Sequence, residues 1–262
     1  MQAKKSLGQN FLTSIPARMA IIEAGNLTAH DTVLEIGPGK GFLTRALVDS
    51  VAHVIALEKD RDLLPLLSET FKEELGNGKL TLVEGDALTF LPEGLIKDTY
   101  KLIANIPYYI TGAILSRYLS SQKQPTTMVV LVQKEVAERV CAKDGKESLL
   151  SLSVKVYGEP KLVYRVSKGS FNPIPKVDSA VLQIQNISRN NFKNPYHEAM
   201  FFKLIHAGFS HKRKFALSNI KDVWKTIDIT KLFEEVSLSL KVRAEDVPLS
   251  TWLVLSEKIV NL

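Results

Sequence analysis

Between residues 32 and 133, five short apolar runs (32–36, 53–57, 79–84, 101–104 and 126–132) alternate with amphipathic stretches such as 43–50 and 63–75. Strand-length apolar runs separated by helical patterns form βαβ units, which demand a parallel sheet with helices on both faces. After residue 149 the rhythm changes. The runs 161–166 and 177–185 are joined only by 167–176, a connection that suits an antiparallel pair better than a helical crossover. Residues 188–195 are polar, end in a proline, and read as a linker. Beyond them the apolar spacing is helical: Phe201, Phe202, Leu204 and Ile205, then Ile229, Leu232, Phe233 and Val236. The expected organisation is an α/β domain over 1–186 and a small all-helical domain over 187–262. No internal repeat supports a solenoid.

Composition narrows the function classes. At 45% apolar and 24% charged residues, the chain of 262 is neither disordered nor a disulfide scaffold. A single cysteine, Cys141, forbids an internal disulfide and any cysteine-clustered metal site. The five histidines lack paired-ligand spacing, so no metal is expected. The first residues carry no secretory apolar stretch, and the longest apolar run, Met128 to Val132, is far short of the roughly 20 residues that span a bilayer. The expectation is a soluble cytoplasmic protein with no membrane partner. The net charge of +6 favours a polyanionic partner. It is uneven, with 12 Lys+Arg against 8 Asp+Glu in residues 187–262.

The run Thr32-Val-Leu-Glu-Ile-Gly-Pro-Gly-Lys-Gly-Phe42 is a strand entering three alternate glycines and then a helix. Gly37, Gly39 and Gly41 let backbone turn tightly and approach a ligand. A dinucleotide fingerprint would place its third glycine one residue later. Glu58, 21 residues past Gly37, is placed to accept from ribose hydroxyls, and Asp86, after the next strand, from an exocyclic adenine amine. This set is the pattern of S-adenosylmethionine-dependent methyltransferases with a Rossmann-like sheet; a nicotinamide oxidoreductase is the alternative.

The fourth strand runs into Asn105-Ile106-Pro107-Tyr108. The Asn105 side-chain oxygen and a backbone carbonyl can accept both hydrogens of a planar amine, while Pro107 stiffens Ile106. Tyr108 can stack on a base. Adenine N6 is a poor nucleophile because its lone pair is delocalised into the ring. Two acceptors favour pyramidalisation and offset the charge that develops during methyl transfer, without a strong base. Phe171, on the proline-flanked Phe171-Asn-Pro-Ile-Pro-Lys176, offers a second aromatic that would sandwich an extruded base against Tyr108.

Together with Lys5-Ser-Leu-Gly-Gln-Asn-Phe-Leu12, Gln133-Lys-Glu-Val-Ala137 and Gly208-Phe-Ser-His-Lys-Arg-Lys214, these motifs closely resemble the ribosomal RNA adenine N6,N6-dimethyltransferases of the KsgA family over essentially the whole chain. The resemblance implies a Rossmann-like class I methyltransferase sheet, parallel with an antiparallel C-terminal hairpin, plus the helical domain. It implies S-adenosyl-L-methionine as cofactor, with Asn10, Leu12, Gly37, Gly39, Gly41, Glu58, Asp86 and Asn105 around it, and Asn105, Ile106, Pro107, Tyr108 and Phe171 at the target. It implies dimethylation of two adjacent adenosines in the 3′-terminal hairpin loop of small-subunit RNA, within the immature 30S subunit, by a monomer. Lys212, Arg213 and Lys214 would meet RNA. On residues 8–11 alone the arm reads only as a helix-capping turn. The sister family acting on large-subunit RNA in macrolide resistance shares Ile106, and a non-catalytic assembly factor is the third reading. Two positions depart from the family pattern: Ser148-Leu149 stands where Tyr-Gly is usual, and His211 where glutamine is common.

Overall fold

The structure is a computed structural model and describes residues 3–4, 7–142 and 145–261. In chain order its elements are β1 (Phe11–Leu12), α1 (Ile15–Ala24), β2 (Thr32–Ile36), α2 (Phe42–Ser50), β3 (His53–Glu58), α3 (Leu64–Thr70), α4 (Lys72–Gly76), β4 (Leu80–Glu84) and β5 (Lys101–Asn105). There follow α5 (Thr111–Leu119), β6 (Thr127–Gln133), α6 (Lys134–Val140), α7 (Leu149–Lys155), β7 (Glu159–Val166), β8 (Phe171–Asn172) and β9 (Ser179–Gln185). The chain ends with α8 (Pro195–Gly208), α9 (Ala216–Val223), α10 (Ile229–Glu235) and α11 (Leu249–Val260). No described helix is long and apolar enough to cross a membrane.

Two compact units share these elements: Met1–Glu138 with Gly158–Ile187, and Arg139–Tyr157 with Ser188–Leu262. The first holds a seven-stranded sheet in the order β4-β3-β2-β5-β6-β9-β7. Its first five strands are parallel, and β9 pairs antiparallel with both β6 and β7. The antiparallel hairpin expected after residue 149 is therefore present. Strands buried on both faces must be apolar throughout, and β6 is buried at every position but Gln133. The α1 helix packs on β6, β7 and β9, α2 on β3, and α3 and α4 on β4. It starts where Ser14 Oγ accepts from Ala17 N at 3.3 Å and Pro16 occupies the first turn.

Local differences from the sequence reading have physical causes. The stretch 63–75 breaks at Phe71, which leaves helical geometry at φ −115° and is fully buried, with the Arg45 guanidinium 4.4 Å from its ring centre. Residues 8–11 do not merely cap a helix, because Phe11 and Leu12 pair antiparallel with Asn172 and Phe171. Pro195 is the first residue of α8 rather than part of a linker, with Asn194 Oδ1 accepting from His197 N at 2.9 Å.

The expected division at 186/187 also differs, since residues 139–157 belong to the helical unit. Aromatic packing explains this. The Tyr157 ring lies 5.9 Å from Phe202 and 5.7 Å from Phe192, and its hydroxyl donates to Glu198. Ser148 builds a capping box with Ser151 at the start of α7, and buried Glu147 accepts from Ser151 Oγ and Lys155 Nζ, each at 2.6 Å. The residue that departs from the family pattern is thus a helix cap.

In the helical unit α8 packs on α11, and a Cβ built at Gly208 would collide with the ring of fully buried Trp252. Replacing Gly208 by alanine is expected to cost about 1–3 kcal/mol, because overpacking outweighs alanine's better helix propensity. Denaturant titration checks this; an unchanged or raised midpoint would contradict the packing.

Candidate active site

Strand order reverses at β2, with β3 on one side and β5 on the other. Open parallel sheets bind ligands beyond the carboxyl ends of their strands at such a reversal. Four candidate segments end there: the turn Gly37 to Gly41 after β2, Glu58 closing β3, Asp86 after β4, and Asn105 closing β5. They border a cavity of about 580 Å³. Every residue expected around cofactor and target lines it: Asn10, Leu12, Gly37, Gly39, Gly41, Glu58, Asp86, Asn105, Ile106, Pro107, Tyr108 and Phe171. Lys5 and Ser6 of the arm motif lie outside the described residues.

The glycine turn is required by its geometry. Gly41 precedes α2 at φ +81°, and an added Cβ would strike the Phe71 ring. Gly39, at φ +60°, lies against Phe11, and its amide donates to Glu58 Oε2 at 3.1 Å. Glu58 Oε1 accepts from the Asp60 amide at 2.8 Å, so this buried carboxylate already organises two loops. Burial pushes its pKa up, and the two amides pull it back. Asp86 is held below the usual carboxylate range, first by Lys59, whose Nζ lies 2.7 Å from Oδ2, and then by the Leu88 amide.

At the end of β5, Asn105 Nδ2 donates to the Asn10 carbonyl at 3.4 Å, which ties the target turn to the arm. Pro107 has φ −56° and ψ 135°, and residues Tyr108–Ile110 form one turn of 3₁₀ helix. The Tyr108 hydroxyl is 2.6 Å from Ser179 Oγ at the start of β9, and burial raises its pKa. Phe171 differs from expectation. Its ring is 3% exposed and belongs to one core cluster with Leu12 and Val181, because β8 is zipped to β1. The free aromatic face expected there is covered, and the prominent exposed ring lining the cavity is Tyr109, 67% exposed. Pattern reasoning missed Tyr109 because two adjacent tyrosines look alike until the turn fixes which one points outward.

The basic residues sit in the helical unit. Lys212, Arg213 and Lys214 lie exposed between α8 and α9, with Lys214 Nζ 3.6 Å from Asp222, and Lys203 Nζ lies 4.9 Å from the Trp224 ring centre.

Glu35, next to the last residue of β2, is 1% exposed, and neither oxygen meets a donor in hydrogen-bonding geometry among the described residues. Burial pushes its pKa up to about 8, with the Thr44 hydroxyl and the Glu58 charge acting in opposite directions. Below its unfolded pKa the group is protonated in both states. Between there and about 8 the unfolded chain releases a proton that the folded chain keeps, so stability falls as pH rises. Relative to wild type, Glu35→Gln is therefore expected to gain about 1.4 kcal/mol for each pH unit across that window and nothing beyond it. Parallel denaturation curves from pH 4 to 9 check this; a constant difference would contradict a neutral Glu35.

A family model described as ribosomal RNA adenine dimethylase matches residues 1–260. Ribosomal RNA small subunit methyltransferase A of Dehalococcoides mccartyi is 40% identical over 257 residues, covering 96% of this chain and 87% of its own. The protein of the same name from Fusobacterium nucleatum is 37% identical over 255 residues, 96% of each chain. The crystal structure of a dimethyladenosine transferase from Plasmodium falciparum superposes with a TM-score of 0.81 at 26% identity, covering 96% of this chain and 98% of that one. With a parallel sheet that reverses at β2 and an asparagine-proline turn facing its cavity, the chain belongs to the ribosomal RNA adenine dimethylase family.

Proposed function

We propose that the chain dimethylates N6 of two adjacent adenosines in the 3′-terminal hairpin loop of small-subunit ribosomal RNA, using S-adenosyl-L-methionine, within the immature subunit. The observation that carries this reading is the turn Asn105–Tyr108, which opens into the same cavity as the glycine turn and Glu58. The residues fit the cofactor. The cavity volume falls within the range of small-molecule sites, about 300–1,000 Å³. A buried carboxylate, Glu58, faces it beside a turn that leaves no side chain in the way. Gly37, Gly39 and Gly41 would pass close to the cofactor, Glu58 would hold its ribose hydroxyls, Asp86 its adenine amine, and Asn10, Leu12 and Asn105 would close the pocket. The cofactor supplies an electrophilic methyl group on a sulfonium.

The remaining chemistry belongs to the chain. The Asn105 amide gives its Nδ2 to the Asn10 carbonyl, which orients Oδ1 as an acceptor for one N6 hydrogen. The Ile106 carbonyl, stiffened by Pro107, accepts the other. These acceptors localise the nitrogen lone pair and balance the positive charge that grows as the carbon–nitrogen bond forms, and the displaced proton then leaves to solvent. Tyr108, anchored through Ser179, offers the stacking surface that holds the base out of its own stack. Phe171, buried by the β1–β8 ladder, would shape the cavity wall rather than stack on the base. Lys212, Arg213 and Lys214 would neutralise RNA phosphates.

The test is methyl transfer from tritium-labelled cofactor to under-methylated small subunits and, in parallel, to large-subunit RNA. Incorporation into the small subunit alone is expected; incorporation only into large-subunit RNA, or into neither, overturns the reading. Asn105→Ala is expected to lower kcat by about 10²–10³ with little change in RNA affinity, since the contact strengthens as charge develops. Equal losses in both would make it a binding residue only. Glu58→Ala should weaken cofactor binding roughly ten- to hundred-fold by calorimetry; unchanged affinity in a folded variant would reject its role. Replacing Lys212, Arg213 and Lys214 by alanine should weaken subunit binding and flatten its salt dependence while leaving cofactor affinity intact. Wild-type affinity and salt slope would show the cluster to be solvated surface only.

A further inference from the structure

Outside the residues already assigned, one buried acid gathers an unusual set of partners. Asp60 is 4% exposed and follows Glu58 by two residues. Its Oδ1 lies 2.5 Å from Lys4 Nζ and accepts from the Asp62 amide at 3.2 Å, while Oδ2 accepts from Gln9 Nε2 at 2.8 Å. Lys4 N in turn donates to Gln9 Oε1 at 2.7 Å, and Lys4 Nζ also lies 2.6 Å from Asp62. These partners hold the Asp60 carboxyl below its ordinary range against the opposing effect of burial. Gln9 belongs to the stretch Leu7–Thr13, which lines the cavity before α1. The other end of that segment is fixed by the β1–β8 ladder and by Thr13 N donating to Ser170 O at 2.8 Å. Between the two anchors, Gly8 lies against the Tyr109 ring, where an added Cβ would stand 3.1 Å from Cε1. Residues 7–12 therefore form a strap along the cavity: a backbone ladder fixes one end, and Gln9 on Asp60, with Lys4 bridging Asp60 and Asp62, fixes the other. The aspartate end is the weaker anchor, because Lys4 is 39% exposed at its side chain and screened by solvent.

We propose that Asp60 is a positioning residue for the cofactor site: its carboxylate latches residues 7–12 along the cavity through Gln9, with Lys4 as its counter-ion, and release of that latch sets the rate of cofactor exchange. The proposal rests on the reading of the cavity as the S-adenosylmethionine site. Asp60 also transmits the latch inward, since its amide donates to Glu58 Oε1 and Glu58 Oε2 accepts from Gly39 N, so one hydrogen-bonded path joins strap, ribose-binding acid and glycine turn.

Dissociation of S-adenosylhomocysteine, the product form of the cofactor, tests this by surface plasmon resonance on the full chain. Asp60→Ala should raise the dissociation rate about tenfold, the equivalent of losing one charged hydrogen bond. Asp60→Asn keeps an acceptor for Gln9 and should fall between the two. Wild-type dissociation should quicken with added salt, and Asp60→Asn should lose that dependence, a response that a merely structural aspartate would not give. Should Asp60→Ala fail to fold, the surface pair Lys4→Met with Gln9→Leu, which leaves Asp60 in place, should raise the rate in the same direction. Wild-type rates and salt dependence in the folded variants would overturn the latch while leaving the cofactor reading intact. Absence of any S-adenosylhomocysteine binding to wild type would overturn both.

Discussion

The reversal of strand order between β2 and β5 is the constraint on which the rest depends. Because β3 and β5 flank β2, the loops after β2 and β5 leave the sheet side by side with no helix between them. The glycine turn and the asparagine-proline turn, 64 residues apart as counted from Gly41 to Asn105, thereby open into one cavity. The spacing between the two turns is set by the sheet that carries them. A rigid scaffold of this kind suits a reaction whose barrier falls through orientation and placed acceptors rather than through a strong base.

At and behind that cavity's wall the same chemical group is put to different uses by its surroundings. Glu35 is buried with only the Thr44 hydroxyl acting to lower its pKa among the described residues, and is largely neutral near pH 7. Glu58, also buried, meets two backbone amides and organises the loops beside it. Asp60 is buried yet charged because Lys4 and Gln9 reach it, and Asp86 is paired with Lys59 at the surface. Burial alone predicts none of these states; the donors within reach decide each one.

Much of this was legible in the sequence. Local apolar periodicity located the strands to within about two residues, and the glycine and asparagine motifs, each confined to a few consecutive residues, marked the cavity. What escaped was set by contacts distant in sequence. The β1–β8 ladder joins Leu12 to Phe171 across 159 positions with only two residues on each side, too few for any period. Phe171 reads as a free aromatic until that ladder buries it. Residues 139–157 follow the aromatic packing of Tyr157 rather than the chain order. The Asp60 latch pairs a residue with partners more than 50 positions away and carries no motif at all.

The central claim is that the Asn105–Tyr108 turn presents adenine N6 to a methyl donor in the shared cavity. The most direct measurement is a mass-spectrometric map of small-subunit RNA after reaction of under-methylated subunits with the protein and S-adenosylmethionine. The account predicts N6,N6-dimethyladenosine at two adjacent positions of the 3′-terminal hairpin loop, with unmodified adenosines when Asn105 is replaced by alanine. Methylation at another atom or another nucleotide, or undiminished modification by the Asn105 variant, would contradict it.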